Sequence, residues 1–262
     1  MFESIGFTLS QLELWLLIFV RFLTLLSTFP FFSYDSIDPR VRAFFAVLLA
    51  TLMARIIPYP DNFPIEFTML MFYVAREVLI GFCIGMFSAF FVEVVKFAGT
   101  QTSHMMGLNM ASMVDPTTSE ESEAMPELFN FIAVLLIISI NGHHFFLKIL
   151  LESFYMIPIN QLTLPSQLVP EMLNIVSNII IIGIRLSAPI VISVFLIRII
   201  VGFLNKLVQE ADVFSIIMVV NILIGLIILN YYWVYFTQIT NELYYLTQEK
   251  ILTIMKLLGS NI

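Results

Sequence analysis

Long apolar runs alternate with short polar breaks along this chain. About six runs reach or approach the roughly 20 residues that a helix needs to cross a bilayer. They are Leu12–Phe32, Val41–Ile57, Phe67–Val95, Leu128–Ile157, Leu168–Leu204 and Val213–Phe236. Each is continuously apolar and does not alternate residue by residue, which excludes the strands of a membrane β-barrel. The pattern predicts an all-α, polytopic membrane protein of about six long helices. The third, fourth and fifth runs exceed the minimum length and must tilt, kink or protrude.

The breaks carry recognisable turn chemistry. Pro30 and Pro39 bracket a turn in which Asp38 caps the next helix and Pro39 takes its first position. Pro58, Pro60 and Pro64 stiffen the second connection. Pro126 opens the fourth run behind acidic residues, where a helix N-terminus favours negative charge. Pro158 ends that run, and Pro165 and Pro170 frame the start of the fifth, which Gly183, Ser187 and Pro189 make thin and bendable. In the tail from Thr240 to Leu258, Leu243, Ile251, Ile254 and Leu258 share one helical face, which predicts a separate amphipathic helix over 240–262 on the membrane surface or on a partner.

One break differs in kind. Gly99–Pro116, GTQTSHMMGLNMASMVDP, is too apolar for a solvated loop and too polar for a span. Met106, Met110 and Met113 fall at i, i+4 and i+7, one face of a short helix. Methionine is unbranched and adaptable, so this face serves either as ordinary core or as a gasket that re-packs against irregular neighbours. The flanking glycines and hydroxyls predict a re-entrant segment before the fourth long helix, tolerated at membrane depth only when buried in protein or lining a cavity.

Charges inside the runs need a reason. Arg21, Arg76, Glu77, Glu93, Arg185 and Arg198 all lie in apolar surroundings. A charge at mid-bilayer costs at least ~2.5 kcal/mol, so each must face protein or water. They form either an ion path or locks between helices, and the lock is the stronger reading because nothing aligns them on one face. Gly81 and Gly85 form G-x-x-x-G, continued by Ser88 and Ala89, a surface that lets another helix approach closely. Gly183 and Gly202 are small packing positions of the same kind in the fifth run. His143 and His144 are adjacent, so they cannot make the i, i+4 pair that binds zinc; after Asn141-Gly142 they point to hydrogen bonding at a helix irregularity.

Composition narrows the function. With 60% hydrophobic and 12% charged residues, this is no ordinary soluble domain. A net charge of −7 argues against nucleic acid as a partner. Cys83 is the single cysteine, which leaves no disulfide framework or cysteine metal site. No H-E-x-x-H, phosphate loop or G-x-S-x-G is present, so no enzyme activity, cofactor or metal is expected. Glu3 and Arg21 are wrong for a cleaved signal, so the first run is expected to be a retained span. Arg40, Arg42, Lys96 and Lys206 place the odd-numbered connections in the cytoplasm and both termini outside, against the sign of Lys250 and Lys256.

Several pieces, in order and nearly end to end, resemble the FliR/SctT family of type III export-gate subunits. They are Arg21 with LLSTFPFF (25–32), IDPRVR (37–42), REVLIGFCIG (76–85), MGLNMASMVDP (106–116), INGHH (140–144), LLESFYMIP (150–158) and VGFLNKL (201–207). The resemblance implies one copy of this chain in a hetero-oligomeric gate with FliP-like and FliQ-like subunits, beside FlhB-like and FlhA-like export components. It implies a single integral-membrane unit over 1–262, FliP-like over 1–157 and a FliQ-like hairpin over 168–236, in the bacterial inner membrane at the flagellar basal body. Residues 99–116 would hold the loop that plugs the pore, with Met105, Met106, Gly107, Met110, Met113, Asp115 and Pro116 as its seal. Unfolded rod, hook and filament proteins would pass. A virulence secretion gate of the same mechanism and a secondary transporter using Arg76, Glu77 and Arg185 are the alternatives. Residues 205–222 contain no proline, a departure from the family pattern.

Overall fold

The computed structural model of the chain describes residues 9–29, 38–57, 67–108, 124–159, 166–205 and 213–259. Every regular element among them is helical: α1 (Leu9–Thr28), α2 (Pro39–Met53), α3 (Phe67–Met106), α4 (Ala124–Ser139), α5 (Gly142–Met156), α6 (Leu168–Asn205) and α7 (Val213–Leu258). The chain forms two compact units, one of residues 1–90, 141–175 and 247–262, the other of residues 91–140 and 176–246.

In the first unit α1 packs on α3 across the predicted G-x-x-x-G. A Cβ at Gly81 would lie 2.1 Å from Thr24 Oγ1, and one at Gly85 1.7 Å from Thr28 Oγ1. The two threonines sit one turn apart, and their hydroxyls donate back to the carbonyls of Val20 and Thr24 at 2.9 and 3.0 Å. Polar atoms are thus satisfied at the seam while the helices approach to a distance that only glycine permits. Phe22 against Phe154 and Phe29 against Phe146 extend this core to α5, with ring centroids 5.2 and 4.6 Å apart. Asp38 accepts from Arg40 N at 2.8 Å with Pro39 at the first helical position, as predicted.

In the second unit small residues again set the packing. Gly99 meets the Met125 carbonyl and Pro126, and Gly183 meets Phe97 and Val94. Phe91 contacts Tyr244, and Met106 contacts Gly225. Residue numbers therefore rise on α3 as they fall on α7, and the two helices run antiparallel. Pro189 has no N–H to give the carbonyl four residues back. That carbonyl belongs to Arg185, and it accepts from the Tyr232 hydroxyl of α7 at 3.5 Å. A side chain of the neighbouring helix stands where the helix lacks its own donor.

Several expectations change. Among the described residues four helices are long and apolar enough to cross a membrane, or five if α4 and α5 form one broken span, where the sequence predicts about six. α2 has 15 residues, about 22 Å, short of a bilayer's apolar thickness. The fourth run breaks where Asn141 takes φ 56°, a left-handed conformation that suits Asn at a helix boundary. His144 N donates to the Asn141 carbonyl at 3.1 Å, so the histidines do follow a helix irregularity. The tail is no separate helix: α7 continues unbroken for 46 residues, and Leu243, Ile251, Ile254 and Leu258 are buried within the chain. The shared face was read correctly; what covers it is this chain, not a membrane surface or partner.

Replacing Gly85 by Ala should lower the melting temperature of the purified protein in detergent, with a loss of about 1–3 kcal/mol from overpacking. Thr28→Ala added to it should recover part of the loss. Gly202→Ala, where no described atom lies within 4 Å of the new methyl, should not lower the melt and should raise it slightly through the better helix propensity of Ala.

Candidate functional site

Arg21 is fully buried, although its helix is otherwise apolar. Its Nε donates to the Glu77 carboxylate, itself only 2% exposed. Its Nη1 donates to the carbonyls of Ser153 and Ile157, each at 3.0 Å. The guanidinium also lies over the Phe154 ring, 4.2 Å from the centroid. Ser153 O also accepts from Ile157 N at 3.0 Å, and these carbonyls at the end of α5 carry the negative end of its dipole. One cation thus answers a carboxylate on α3 and a helix terminus on α5, and holds three helices together. The sequence placed Arg21 and Glu77 among the intramembrane charges, but 56 residues separate them, and no local spacing announces the pair. Arg76 stands apart, 5.6 and 6.0 Å from the ring centroids of Phe72 and Tyr73.

The second feature is the C-terminal end of α3. The predicted re-entrant stretch does not begin as a loop: residues 99–106 are the last two turns of α3. Thr100 and Thr102 donate their hydroxyls to the carbonyls of Lys96 and Ala98, at 3.1 and 2.9 Å. This internal bonding lets polar residues continue a helix that hydropathy alone would end near Val95. The helix stops at Gly107, with φ 80°. Leu108 N donates to Ser103 O at 3.2 Å and Gly107 N to His104 O at 3.3 Å, the paired bonds of a glycine-terminated helix.

That end is fixed in place. Met106 is fully buried, and a Cβ on Gly225 would come within 2.7 Å of its Cγ, Sδ and Cε. Arg198 Nη2 donates to the Met105 carbonyl at 2.6 Å, a cation at the negative end of a helix. Met105 is half-buried. Arg185 is exposed, and only its backbone carbonyl takes part in the packing described above. Among the described residues Gly202 meets nothing within 4 Å. Met110, Met113, Asp115 and Pro116 lie outside the described residues. Thr24, Thr28, Gly225 and Tyr232 were missed from sequence, because a partner across helices leaves no periodic trace. Among the described residues no group of three or more His, Cys, Asp or Glu is placed to hold a metal ion.

Because Glu77 and Arg21 are buried together, removing one charge leaves the other unpaired. Arg21→Met or Glu77→Gln should each cost about 3–5 kcal/mol, read as loss of folded protein in detergent. The double change Arg21→Met/Glu77→Leu should cost less than the sum of the two.

Residues 12–246 match the family described as bacterial export proteins, family 1. The chain is also similar to three proteins named flagellar biosynthetic protein FliR. The one from Pectobacterium carotovorum subsp. carotovorum is 27% identical over 81% of this chain and 81% of its own length. Those of Bacillus subtilis and Escherichia coli are each 26% identical, over 93% and 83% of this chain and 95% and 83% of their own lengths. With the Arg21–Glu77 pair and the C-terminal end of α3 inside the matched region, the chain belongs to the bacterial export proteins, family 1.

Proposed function

We propose that this chain is a membrane-embedded, non-enzymatic subunit of a flagellar type III export gate in the bacterial inner membrane, at the flagellar basal body. The observation that carries the reading is the length of exposed apolar surface. α6 exposes large hydrophobic side chains from Val169 to Phe203, including Ile180, Ile184, Phe195 and Ile200. A helix of 38 residues is about 57 Å long, while the hydrocarbon core of a bilayer is about 30 Å thick. Lipid covers part of that surface, and protein neighbours must cover the rest. FliP-like and FliQ-like subunits are the proposed neighbours, with one copy of this chain per gate and FlhB-like and FlhA-like components beside it. Residues 1–157 would take the FliP-like part and residues 168–236 the FliQ-like hairpin.

In this reading unfolded rod, hook and filament proteins cross through the assembled pore. Residues 105–116 help to seal it, with Met105, Met106, Gly107, Met110, Met113, Asp115 and Pro116 as the seal. The names of the similar proteins support the flagellar assignment. The rigid attachment of Met106 and Met105 to α7 and α6 supports the seal, since a seal needs a fixed base.

Deleting the chain from cells should abolish export of filament protein. Purification of the tagged chain in mild detergent should recover FliP-like and FliQ-like subunits; a clean monomer would count against the gate. Deleting residues 107–113 should make the membrane leaky to small ions in cells that assemble the gate. A tight membrane with unchanged export would remove residues 107–113 from the seal.

A further inference from the structure

Within the second unit the exposed surfaces of α6 and α7 change character at one common height. On α7, Val219, Leu223, Leu226 and Ile227 are exposed first, then Tyr231, Trp233 and Tyr235, then Gln238 and Glu242. On α6 the order runs the other way: Ser177 is exposed, then Arg185, then Ile192, Phe195, Ile199 and Phe203. The Tyr232 hydroxyl, which donates to the Arg185 carbonyl at 3.5 Å, sets the aromatic turn of α7 level with Arg185. Ile180, Ile181 and Ile184 flank Arg185 on its own helix and give its stem an apolar bed.

Two observations make lipid the cover of this belt. A neighbouring protein covers a patch, whereas a bilayer covers one height on every side. Tyr231 and Trp233 are both exposed and leave α7 on roughly opposite sides, yet they share the same change of character. The length agrees as well. From Arg185 to the end of α6 at Asn205 the helix rises about 30 Å, and from Val213 to Tyr231 α7 rises about 27 Å, close to the hydrocarbon thickness of a bilayer. Tyrosine, tryptophan and arginine at the edge of such a stretch settle at the level of the headgroups. Arg198 gives its guanidinium to the Met105 carbonyl, but among the described residues no carboxylate pairs with Arg185.

We propose that Arg185, level with the aromatic turn of α7, binds the headgroup phosphate of an anionic phospholipid. The guanidinium donates to the phosphate oxygens, a charge-assisted pairing that its planar fork suits, and the acyl chains run along the Ile192–Phe203 side of α6. A zwitterionic headgroup brings its own cation to the phosphate, whereas phosphatidylglycerol does not. The unanswered charge of Arg185 therefore selects the anionic lipid. This inference goes beyond the gate reading and does not depend on it.

The test uses the full chain in phosphatidylcholine vesicles, with Ile181→Trp as reporter in a Trp15→Phe/Trp233→Phe background. Ile181 is exposed one turn before Arg185, so a lipid held at the site comes against it. Phosphatidylglycerol brominated in its acyl chains should quench this tryptophan as though bound about fivefold more tightly than brominated phosphatidylcholine. Arg185→Gln should remove that preference, and Arg185→Lys should keep most of it, which separates loss of charge from loss of fold. Equal quenching by the two lipids, or a preference that survives Arg185→Gln, would overturn the proposal. A second readout identifies the cover in cells that make the chain at its natural level. A photoreactive benzoylphenylalanine in place of Ile181 should give phospholipid adducts on irradiation. Adducts to protein alone would make the cover a neighbouring subunit and overturn the lipid site.

Discussion

A single buried cation organises half of this molecule. Arg21 has no solvent to hydrate it, so every favourable arrangement of α1 must supply acceptors at its position. It finds them in Glu77 and in the terminal carbonyls of α5. Such a network need not be more stable than an apolar core of equal volume. Its value is selective: a shift of α1 along α3 by one turn would strand both charges. The Gly81–Thr24 and Gly85–Thr28 contacts fix the same register by shape, so charge and sterics agree on one alignment.

Membrane helices lack a hydrophobic driving force against one another, which explains why small residues recur at the contacts. Gly81, Gly85, Gly99, Gly183 and Gly225 each meet a neighbouring side chain or backbone at less than about an ordinary van der Waals separation once a methyl is imagined there. Close approach multiplies weak dispersion contacts and also brings hydroxyls near backbone carbonyls. Tyr232 shows the second effect. Pro189 frees a carbonyl that lipid could not satisfy, and α7 is near enough to offer a phenol.

Much of the fold was legible in the sequence because apolar continuity and turn chemistry are local properties. Asp38–Pro39 and the irregularity at Asn141 were readable for that reason. Helix ends were harder. Hydropathy stops α3 near Val95, yet Thr100 and Thr102 bond back to their own helix and carry it to Met106. The same measure divides α7 after Phe236, although polar residues on one face and buried Ile251 and Ile254 on the other continue a single helix. Contacts between helices were least legible. G-x-x-x-G announced a close approach but not its partner, and Gly225 gave no signal because its role is defined by Met106 on a different helix.

The end of α3 sets where the following segment leaves the helix. A helix that ended freely at Gly107 would pass on no constraint to the chain that follows. Here Met106 is seated against Gly225 and the Met105 carbonyl is held by Arg198, so the position and direction of the chain at Gly107 are set by α6 and α7. The left-handed glycine then turns the backbone away from the helix axis at a defined point. The chain thus leaves α3 from an anchor to which α6 and α7 each contribute, while Arg21 and Glu77 hold the first unit. The Met106 socket and the buried ion pair share no side chain, although Met106 and Glu77 lie on the same helix. A mutation at Gly225 therefore crowds the Met106 socket, whereas one at Glu77 leaves the buried Arg21 without its carboxylate.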